Sequence, residues 1–353
     1  MAENIGKVIS LSRALPIIFY RRGQLLNQVD YLHLVSSKDL SDLTKMLADK
    51  PYRDVLTGAS IGATDLEKKI REYIVNASFR LVNSAPSEIR TFLKSYMSKP
   101  VYMYFALVLK AKIDGAIQSP TPRAIDAYVW NQLKVARLIE KIVQAKTVQE
   151  LQDATRNFPD YRKAVEEAMS LYWKHGFLYM IDLSFAKSYF EKVHSTLKDV
   201  PLPDRDDVRD ILGIEIDAYN IIAILRGKNW GFTEDILREL TVPHSSAISE
   251  KMLKRLIGLD TADYIHEVVE LKYGNRFLKR EGLSFSDVEL EFRRIEVREC
   301  WKILMGDPFN YAQVFAIIHL IDVENQNLLA VIHGKDGKLS SERILQYVIA
   351  GNP

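Results

Sequence analysis

Two stretches of the sequence place an acidic side chain three residues before an asparagine, at the head of a long apolar run. Asp217 precedes Asn220 in one stretch, and Glu324 precedes Asn327 in the other. Two carboxylates at equivalent positions could act as an acid–base pair or bind a metal ion together. They could instead hydrogen-bond neighbouring helices or their backbone ends, as buried polar groups must.

A third stretch, residues 101–112, keeps the apolar run but lacks the polar pair. It has Val101 and Tyr104 where the other stretches have the acid and the asparagine. A catalytic or metal-binding task shared by all the copies would need the pair in each of them. The difference therefore favours the structural interpretation, and we assign no catalytic, cofactor-binding or metal-binding residue.

All three stretches end on a basic side chain beside a small residue. The basic residues are Lys110, Arg226 and His333. Cations favour the C-terminal end of a helix, where the helix dipole is negative. Gly227 and Gly334 can adopt the left-handed conformation that closes a last turn. We therefore predict that these residues mark helix ends and do not contact a ligand.

The spacing of the three stretches predicts an internal repeat. The basic residue recurs at positions 110, 226 and 333, so the period is roughly 110 residues. We predict three related helical units with boundaries at 1–118, 119–240 and 241–353.

Helical signals dominate the rest of the chain, which predicts an all-α fold. Three hydroxyl–carboxylate pairs have the spacing of a capping box, in which each side chain satisfies a backbone donor at a helix start. The pairs are Thr64 with Glu67, Thr147 with Glu150, and Ser286 with Glu289. Apolar periodicity predicts helices over 65–83, 124–146, 149–157, 160–175 and 181–192. Thr121 and Pro122 suit the start of the second of these.

The common signatures of nucleotide and metal chemistry are missing from the sequence. It contains no Gly-x-x-x-x-Gly-Lys-[Ser/Thr] phosphate loop, and its seven histidines stand apart without a metal-binding spacing. A Gly-x-Ser-x-Gly nucleophile motif is also absent. We expect no cofactor and no small-molecule substrate.

Composition narrows the class of protein further. The 353 residues include 48 basic and 46 acidic side chains, a net charge of +2, which argues against a dedicated nucleic-acid binder. A single cysteine, Cys300, is consistent with a reducing cytoplasm and with a packed apolar role. The longest unbroken apolar run, 101–109, is too short for the roughly 20 residues of a membrane span. At a membrane, another protein would have to hold this chain in place.

Three segments resemble a known family, the C subunits of archaeal-type ATP synthases, whose counterpart in the eukaryotic vacuolar ATPase is the d subunit. Residues 215–228 read Glu-Ile-Asp-Ala-Tyr-Asn-Ile-Ile-Ala-Ile-Leu-Arg-Gly-Lys, and residues 308–335 look like the closing pattern of the family. Residues 186–190, Ala-Lys-Ser-Tyr-Phe, resemble its aromatic pair in the middle of the chain. His333 departs from the pattern, which favours arginine there.

The resemblance implies a funnel of three similar helical units around a pseudo-threefold axis. Such a protein would sit on the membrane rotor ring of proteolipid subunits and receive the foot of the central stalk, made by the D and F subunits. It would be a non-catalytic coupling that transmits torque for proton or sodium transport. It would be peripheral, on the cytoplasmic face of the cell membrane, held there by its partners.

Two other classes of function stay open from the residues alone. One is a helical-repeat adaptor that binds a peptide or nucleic acid in a concave groove. The other is an α-helical enzyme whose site is assembled from scattered residues. Salt-sensitive retention on nucleic acid would favour the adaptor, and saturable turnover would favour the enzyme.

Overall fold

The computed structural model describes residues 2–56, 62–116, 118–121, 124–202, 204–243, 248–270 and 284–351. Over these ranges the regular structure is α-helical, apart from one 3-10 turn at Leu197–Asp199, and there is no strand. The predicted all-α fold class is confirmed.

Twenty α-helices lie in the described ranges. The first ten are α1 (Ala2–Leu11), α2 (Leu15–Gln24), α3 (Gln28–Val35), α4 (Leu40–Ala48), α5 (Arg53–Leu56), α6 (Ala63–Ser84), α7 (Ser87–Tyr96), α8 (Lys99–Ile113), α9 (Ala124–Gln132) and α10 (Ala136–Gln144). The others are α11 (Val148–Ala154), α12 (Pro159–His175), α13 (Tyr179–Ser195), α14 (Asp204–Asn229), α15 (Glu234–Leu240), α16 (Glu250–Gly258), α17 (Thr261–Glu270), α18 (Phe285–Leu304), α19 (Ala312–Asp336) and α20 (Ser341–Leu345).

The chain divides into two compact units, each built from separate stretches of sequence. Unit 1 consists of Met1–Arg90, Pro201–Ile211 and Leu290–Pro353, and unit 2 of Thr91–Val200 and Leu212–Glu289. The repeat boundaries expected near residues 118 and 240 stay a prediction.

Unit 1 is built around α19, which packs against α2, α3, α4, α6 and α20. By length and composition alone, α19 is apolar enough to cross a membrane, and it is the one such helix among the described residues. However, 83% of its most apolar 18-residue window is buried inside the protein. Because a core helix has the same composition as a membrane span, α19 is assigned to the core of unit 1.

Unit 2 contains α8, which packs mainly against α13, and α12 lies beside both. Aromatic rings fill the space between these helices. Phe105 stacks on Tyr161 with ring centroids 5.2 Å apart, and Tyr102 lies edge-on to Tyr189 at 5.9 Å. Such pairs add to the stabilisation that burial of their area provides.

Several predicted helices are confirmed with small shifts of their ends. The predictions over 65–83, 149–157, 160–175 and 181–192 correspond to α6, α11, α12 and α13. The prediction over 124–146 was wrong in its continuity, because α9 and α10 are separated by a turn in which Lys134 has φ 61°. Pro122, expected at the start of that helix, lies outside the described residues.

One of the three capping predictions is confirmed and two were wrong. Thr147 accepts the backbone N–H of Glu150 at the start of α11. At α6 the capping position is Gly62, so Thr64 lies inside the helix. At α18 the reciprocal bonds join Ser284 and Asp287, two residues before the predicted pair. The same hydroxyl–carboxylate spacing occurs twice there, and sequence alone did not identify the pair that precedes the first helical residue.

Candidate functional site

The two asparagines of the repeated motif each tie a core helix to the chain that follows it. Asn220 of α14 donates from Nδ2 to the carbonyl oxygen of Val242 at 2.9 Å, and its Oδ1 accepts the Val242 N–H at 2.8 Å. Asn327 of α19 makes the same two bonds to Ile349, at 2.8 and 2.9 Å. Both side chains are buried, at 0% and 3% exposure. We call each two-bond arrangement an amide tether.

In the first copy of the motif, a different side chain bonds the chain that follows the core helix. Tyr104 of α8 stands where the asparagine would be, and its hydroxyl donates to the carbonyl oxygen of Pro120 at 2.9 Å. The bond again runs from the core helix to the chain after it. A single hydroxyl cannot also accept from that residue, because proline has no N–H.

The helix–turn–helix between each asparagine and its tethered residue is also repeated. Phe232 N–H donates to Gly227 O at 2.9 Å, and Leu339 N–H donates to Gly334 O at 2.8 Å. The backbone is left-handed at Gly231 (φ 74°) and at Lys338 (φ 53°), which occupy equivalent places in the two turns. The repeat predicted from the core helices therefore extends through α15 and α20.

The expected left-handed conformation of the two motif glycines was wrong. Gly227 and Gly334 lie inside α14 and α19, one turn before the left-handed residue. Glycine is present there because the next helix approaches closely: a Cβ would meet Leu237 Cδ2 at 2.4 Å in one copy and Ile344 Cγ1 at 2.5 Å in the other. These positions require the small size of glycine, not its backbone freedom.

The acidic residues of the motif are both buried, each in its own unit. Asp217 is fully buried in unit 2. In unit 1, Glu324 accepts a hydrogen bond from the Tyr52 hydroxyl and another from the Leu26 N–H at 2.6 Å. Burial raises the pKa of Glu324 to about 7, although these two hydrogen bonds act in the opposite direction. This carboxyl can therefore take up a proton near neutral pH.

The three basic residues lie in the last turns of α8, α14 and α19. Two of them also reach another helix. Lys110 bonds both carboxylate oxygens of Asp182 on α13, at 2.7 and 2.8 Å, and His333 Nε2 lies 2.9 Å from Glu67 Oε2 on α6. Arg226 is half-buried on α14. Lys110 and His333 thus link a core helix to the first turns of a long helix, a role that the sequence pattern did not indicate.

Lysines two positions further along were missed by the sequence reasoning. Lys228 Nζ donates to the carbonyl oxygens of Ile257, at 2.5 Å, and Leu259, at the end of α16. Lys335 Nζ donates to Ser37 O at 2.7 Å, just after α3. A cation that binds carbonyls at a helix end complements the helix dipole. The repeated Gly-Lys sequence was a signal that could have identified them.

No group of three or more His, Cys, Asp or Glu side chains with metal-binding proximity occurs in the part of the chain that the structure describes. A buried pair does occur in unit 1, where His319 Nε2 lies 3.4 Å from Glu296 Oε2 and both side chains are less than 10% exposed. The hydrogen bonds and close contacts of the motif residues fix helices to one another, and Glu324 adds a protonation site.

Comparison with known proteins identifies the family. The family model described as "ATP synthase (C/AC39) subunit" matches residues 16–347. The C subunit of the A-type ATP synthase of Methanocaldococcus jannaschii is 22% identical over 346 residues, covering 94% of this chain and 84% of the relative. That of Methanothermobacter thermautotrophicus is 22% identical over 350 residues, covering 94% and 88%.

A third relative matches more closely over a shorter region. The C subunit of the A-type ATP synthase of Archaeoglobus fulgidus is 28% identical over 140 residues, or 40% of this chain. Sequence identity this low is compatible with a fold that depends on helical periodicity and a few tethers. The chain belongs to the ATP synthase (C/AC39) subunit family, and its role in that complex is structural and not catalytic.

Proposed function

We propose that this chain couples the membrane rotor ring of an ATP synthase to its central shaft and transmits torque between them during proton or sodium transport. Its partners would be the proteolipid subunits of the ring and the D and F subunits of the stalk. It would be a peripheral protein on the cytoplasmic face of the membrane, held by those partners. The observation that carries the proposal is the repeated core helix with the same tether at its end.

A body that transmits torque must not yield internally. Each amide tether fixes the chain after a core helix with two buried hydrogen bonds. The glycine contacts bring the next helix against the same end of the core helix. Closely packed interiors have low compressibility and transmit strain. Rigid helix ends of this kind support a mechanical role.

The packing order of the long helices supports a closed arrangement of three repeats. The core helix α8 packs on α13, which follows it in the chain, whereas α19 packs on α6, which precedes it. In a closed ring of three repeats, the last core helix must meet a long helix near the N-terminus. We therefore extend the proposal to three repeats around a pseudo-threefold axis, forming a funnel.

An aromatic surface of unit 2 supports docking of a protein partner. Trp173, Phe177 and Trp230 are 74%, 49% and 52% exposed. Trp230 lies edge-on to Tyr179 with ring centroids 4.3 Å apart. Exposed aromatic clusters are typical of protein interfaces. We propose that the stalk docks on an apolar surface of this kind and that the ring docks on a polar one.

A three-component reconstitution tests the proposal. Immobilised D–F complex is mixed with purified ring in the presence and absence of this chain. We expect the ring to be retained only when the chain is present, with a steeper loss of ring binding than of stalk binding as salt rises, because salt screens exposed charges. Equal retention of the ring without the chain would contradict the coupling role, and equal salt dependence would contradict the two kinds of surface.

A paired variant sharpens the test. Replacing Trp173 and Trp230 by serine should weaken stalk binding while leaving ring binding unchanged. Arg156→Ser is the matched control, because this exposed side chain on the same unit forms a surface contact to Asp153.

A further inference from the structure

Unit 2 contains a cavity of about 220 Å³ that the coupling role does not use. It lies where the end of α7, the start of α8, the start of α12 and the end of α13 meet. One water molecule needs only about 10–15 Å³ of such space. The cavity can therefore hold a small ligand together with water.

Two tyrosines that line this cavity, Tyr102 and Tyr161, have hydroxyls with no hydrogen-bond partner in the described part of the chain. Tyr102 is 2% exposed, and its ring lies 5.0 Å from that of Tyr161. Neither hydroxyl is sealed from solvent, so each can donate to a ligand in the cavity. Burial raises the pKa of both phenols, so each keeps a proton to donate at neutral pH.

The charged side chains around the cavity favour an anion. Lys94 lines the cavity and is half-buried. It pairs with no carboxylate among the described residues. Lys192 is paired with Asp160 at 2.7 Å, so these two charges offset each other. The lining therefore carries a net positive charge, which the ammonium group of Lys94 provides.

The N-terminal end of α8 also favours an anion in the cavity. Its capping residue, Ser98, makes no side-chain capping bond and donates its hydroxyl to the carbonyl oxygen of Ser95 at 2.6 Å, and both Ser98 and the buried Ser95 line the cavity. The N-terminal end of a 15-residue helix is the positive end of its dipole. Hydroxyl donors, an ammonium group and a positive helix end are the groups that bind phosphate in proteins.

We propose that this cavity binds phosphate or the phosphate group of a monoester. Lys94 neutralises its charge, and the hydroxyls of Tyr102, Tyr161 and Ser95 donate to its oxygens. These donors come from three helices, α7, α8 and α12. The proposal is independent of the coupling role.

Calorimetric titration of the full chain with inorganic phosphate, at constant ionic strength maintained with chloride, tests the proposal. We expect saturable binding with a stoichiometry of one. Lys94→Gln should weaken it by about tenfold or more, because a charge-assisted bond is lost. Lys163→Gln, an exposed lysine on α12 whose partners are Glu167 and Glu191, should leave it unchanged.

A pair of tyrosine variants separates binding from folding. Tyr102→Phe should leave the unliganded melting temperature unchanged, since no hydrogen bond to the protein is lost, and should weaken phosphate binding by about three- to tenfold. Tyr189→Phe loses its bond to Tyr96 O, which is 3.0 Å long, and should lower the melting temperature without changing the affinity.

The source of the phosphate is decided by parallel titrations with glycerol phosphate and with vesicles of phosphatidic acid or phosphatidylcholine. Competition of glycerol phosphate with inorganic phosphate supports a soluble ligand. Binding of phosphatidic acid vesicles alone, weakened by Lys94→Gln, supports a lipid headgroup. No saturable binding of any phosphate up to about 10 mM, or binding that ignores both Lys94→Gln and Tyr102→Phe, would overturn the proposal.

Discussion

The ends of α14 and α19 make equivalent contacts, and they differ mainly in the acidic residue. Each helix carries an asparagine that holds a following residue by two buried bonds. Each also carries a glycine that the next helix touches. One turn earlier, Asp217 and Glu324 differ by a methylene. Glu324 reaches Tyr52 and the backbone of Leu26 on separate parts of unit 1.

The comparison distinguishes the contacts that both copies share from the contacts that are specific to one copy. The tether and the close helix contact belong to the repeated pattern, because both join a core helix to the chain that directly follows it. Glu324 instead accepts hydrogen bonds from Tyr52 and Leu26, which are not part of the repeated sequence. The copy at Tyr104 agrees with this division, because it keeps a bond to the following chain without an acid.

Loss of a tether should have the largest effect on stability. Asn220→Ala and Asn327→Ala each remove two hydrogen bonds and leave a buried N–H and carbonyl unpaired. Each unpaired group costs about 1–3 kcal/mol, so we expect both variants to lose about 2–5 kcal/mol of unfolding free energy in urea. Amide exchange at Val242 and Ile349 should accelerate in the corresponding variant.

The control for the tether is Asn131→Ala, an exposed asparagine on α9, which should change stability by less than about 0.5 kcal/mol. If one tether variant lost far more stability than the other, the two copies would not be mechanically equivalent.

The next largest effect concerns pH and belongs to Glu324. Its pKa is about 7 in the folded chain, above the ordinary value of 4.5. Because the folded chain binds this proton more tightly than the unfolded chain, the free energy of unfolding should fall as pH rises from about 4.5 to 7, by up to about 3 kcal/mol. Above pH 7 this contribution should be constant.

Glu324→Gln should remove this slope, since the amide stays neutral and can still accept the Leu26 N–H. Unfolding titrations at pH 5 and pH 8 measure the effect: the variant should gain stability relative to the parent at the higher pH. Glu342→Gln, at an exposed position on α20, is the control. An unchanged slope in Glu324→Gln would show that another group is responsible.

A smaller effect is expected where the glycines contact the next helix. Gly334→Ala places a methyl group against Ile344 Cγ1 and Cδ1, at 2.5 and 2.8 Å. Overpacking of this kind costs about 1–3 kcal/mol. Gly227→Ala should cost less, because it meets the end of the flexible Leu237 side chain. Gly23→Ala in α2 meets nothing within 4 Å and should be neutral or slightly stabilising.

The order of these three melting temperatures checks the prediction. Restoring stability to Gly334→Ala with Ile344→Val would confirm the contact as the cause. A Gly227→Ala variant that is less stable than Gly334→Ala would contradict the comparison.

The smallest effects should come from the cations at the helix ends. Lys110→Gln should lose about 0.2–1 kcal/mol, because its pair with Asp182 is partly exposed. His333→Gln should lose less, because the His333 side chain is more exposed in its contact with Glu67. Thermal unfolding at low and high salt measures both. Loss of binding to a partner at unchanged melting temperature would show instead that these residues contact that partner.

Local pattern predicted the helices and the repeat, but it did not predict which groups meet across the fold. The apolar runs around Asn220 and Asn327 identified buried helices because helical periodicity depends on neighbouring residues. The tether partners Val242 and Ile349 are backbone groups 22 residues away, and a backbone group has no sequence signature. The close contact of Leu237 with Gly227 was equally invisible, and the glycine was assigned to a turn.

Non-local partners also explain the missed role of Glu324. Tyr52 and Leu26 lie 272 and 298 residues earlier in the chain, and nothing in their own surroundings indicates a carboxyl. The apolar character of α19 was underestimated for a related reason. Polar residues interrupt its apolar run, although several of them, including His319, Glu324 and Asn327, are buried.

Rotation of this chain within the assembled complex tests the coupling role most directly. The single cysteine, Cys300, is fully buried, so Lys163→Cys on the surface of α12 provides one accessible attachment point for a bead. With the catalytic head fixed and ATP supplied, we predict that the bead rotates in step with the shaft and that omission of this chain uncouples the ring. A stationary bead on a complex whose shaft turns would contradict the coupling role.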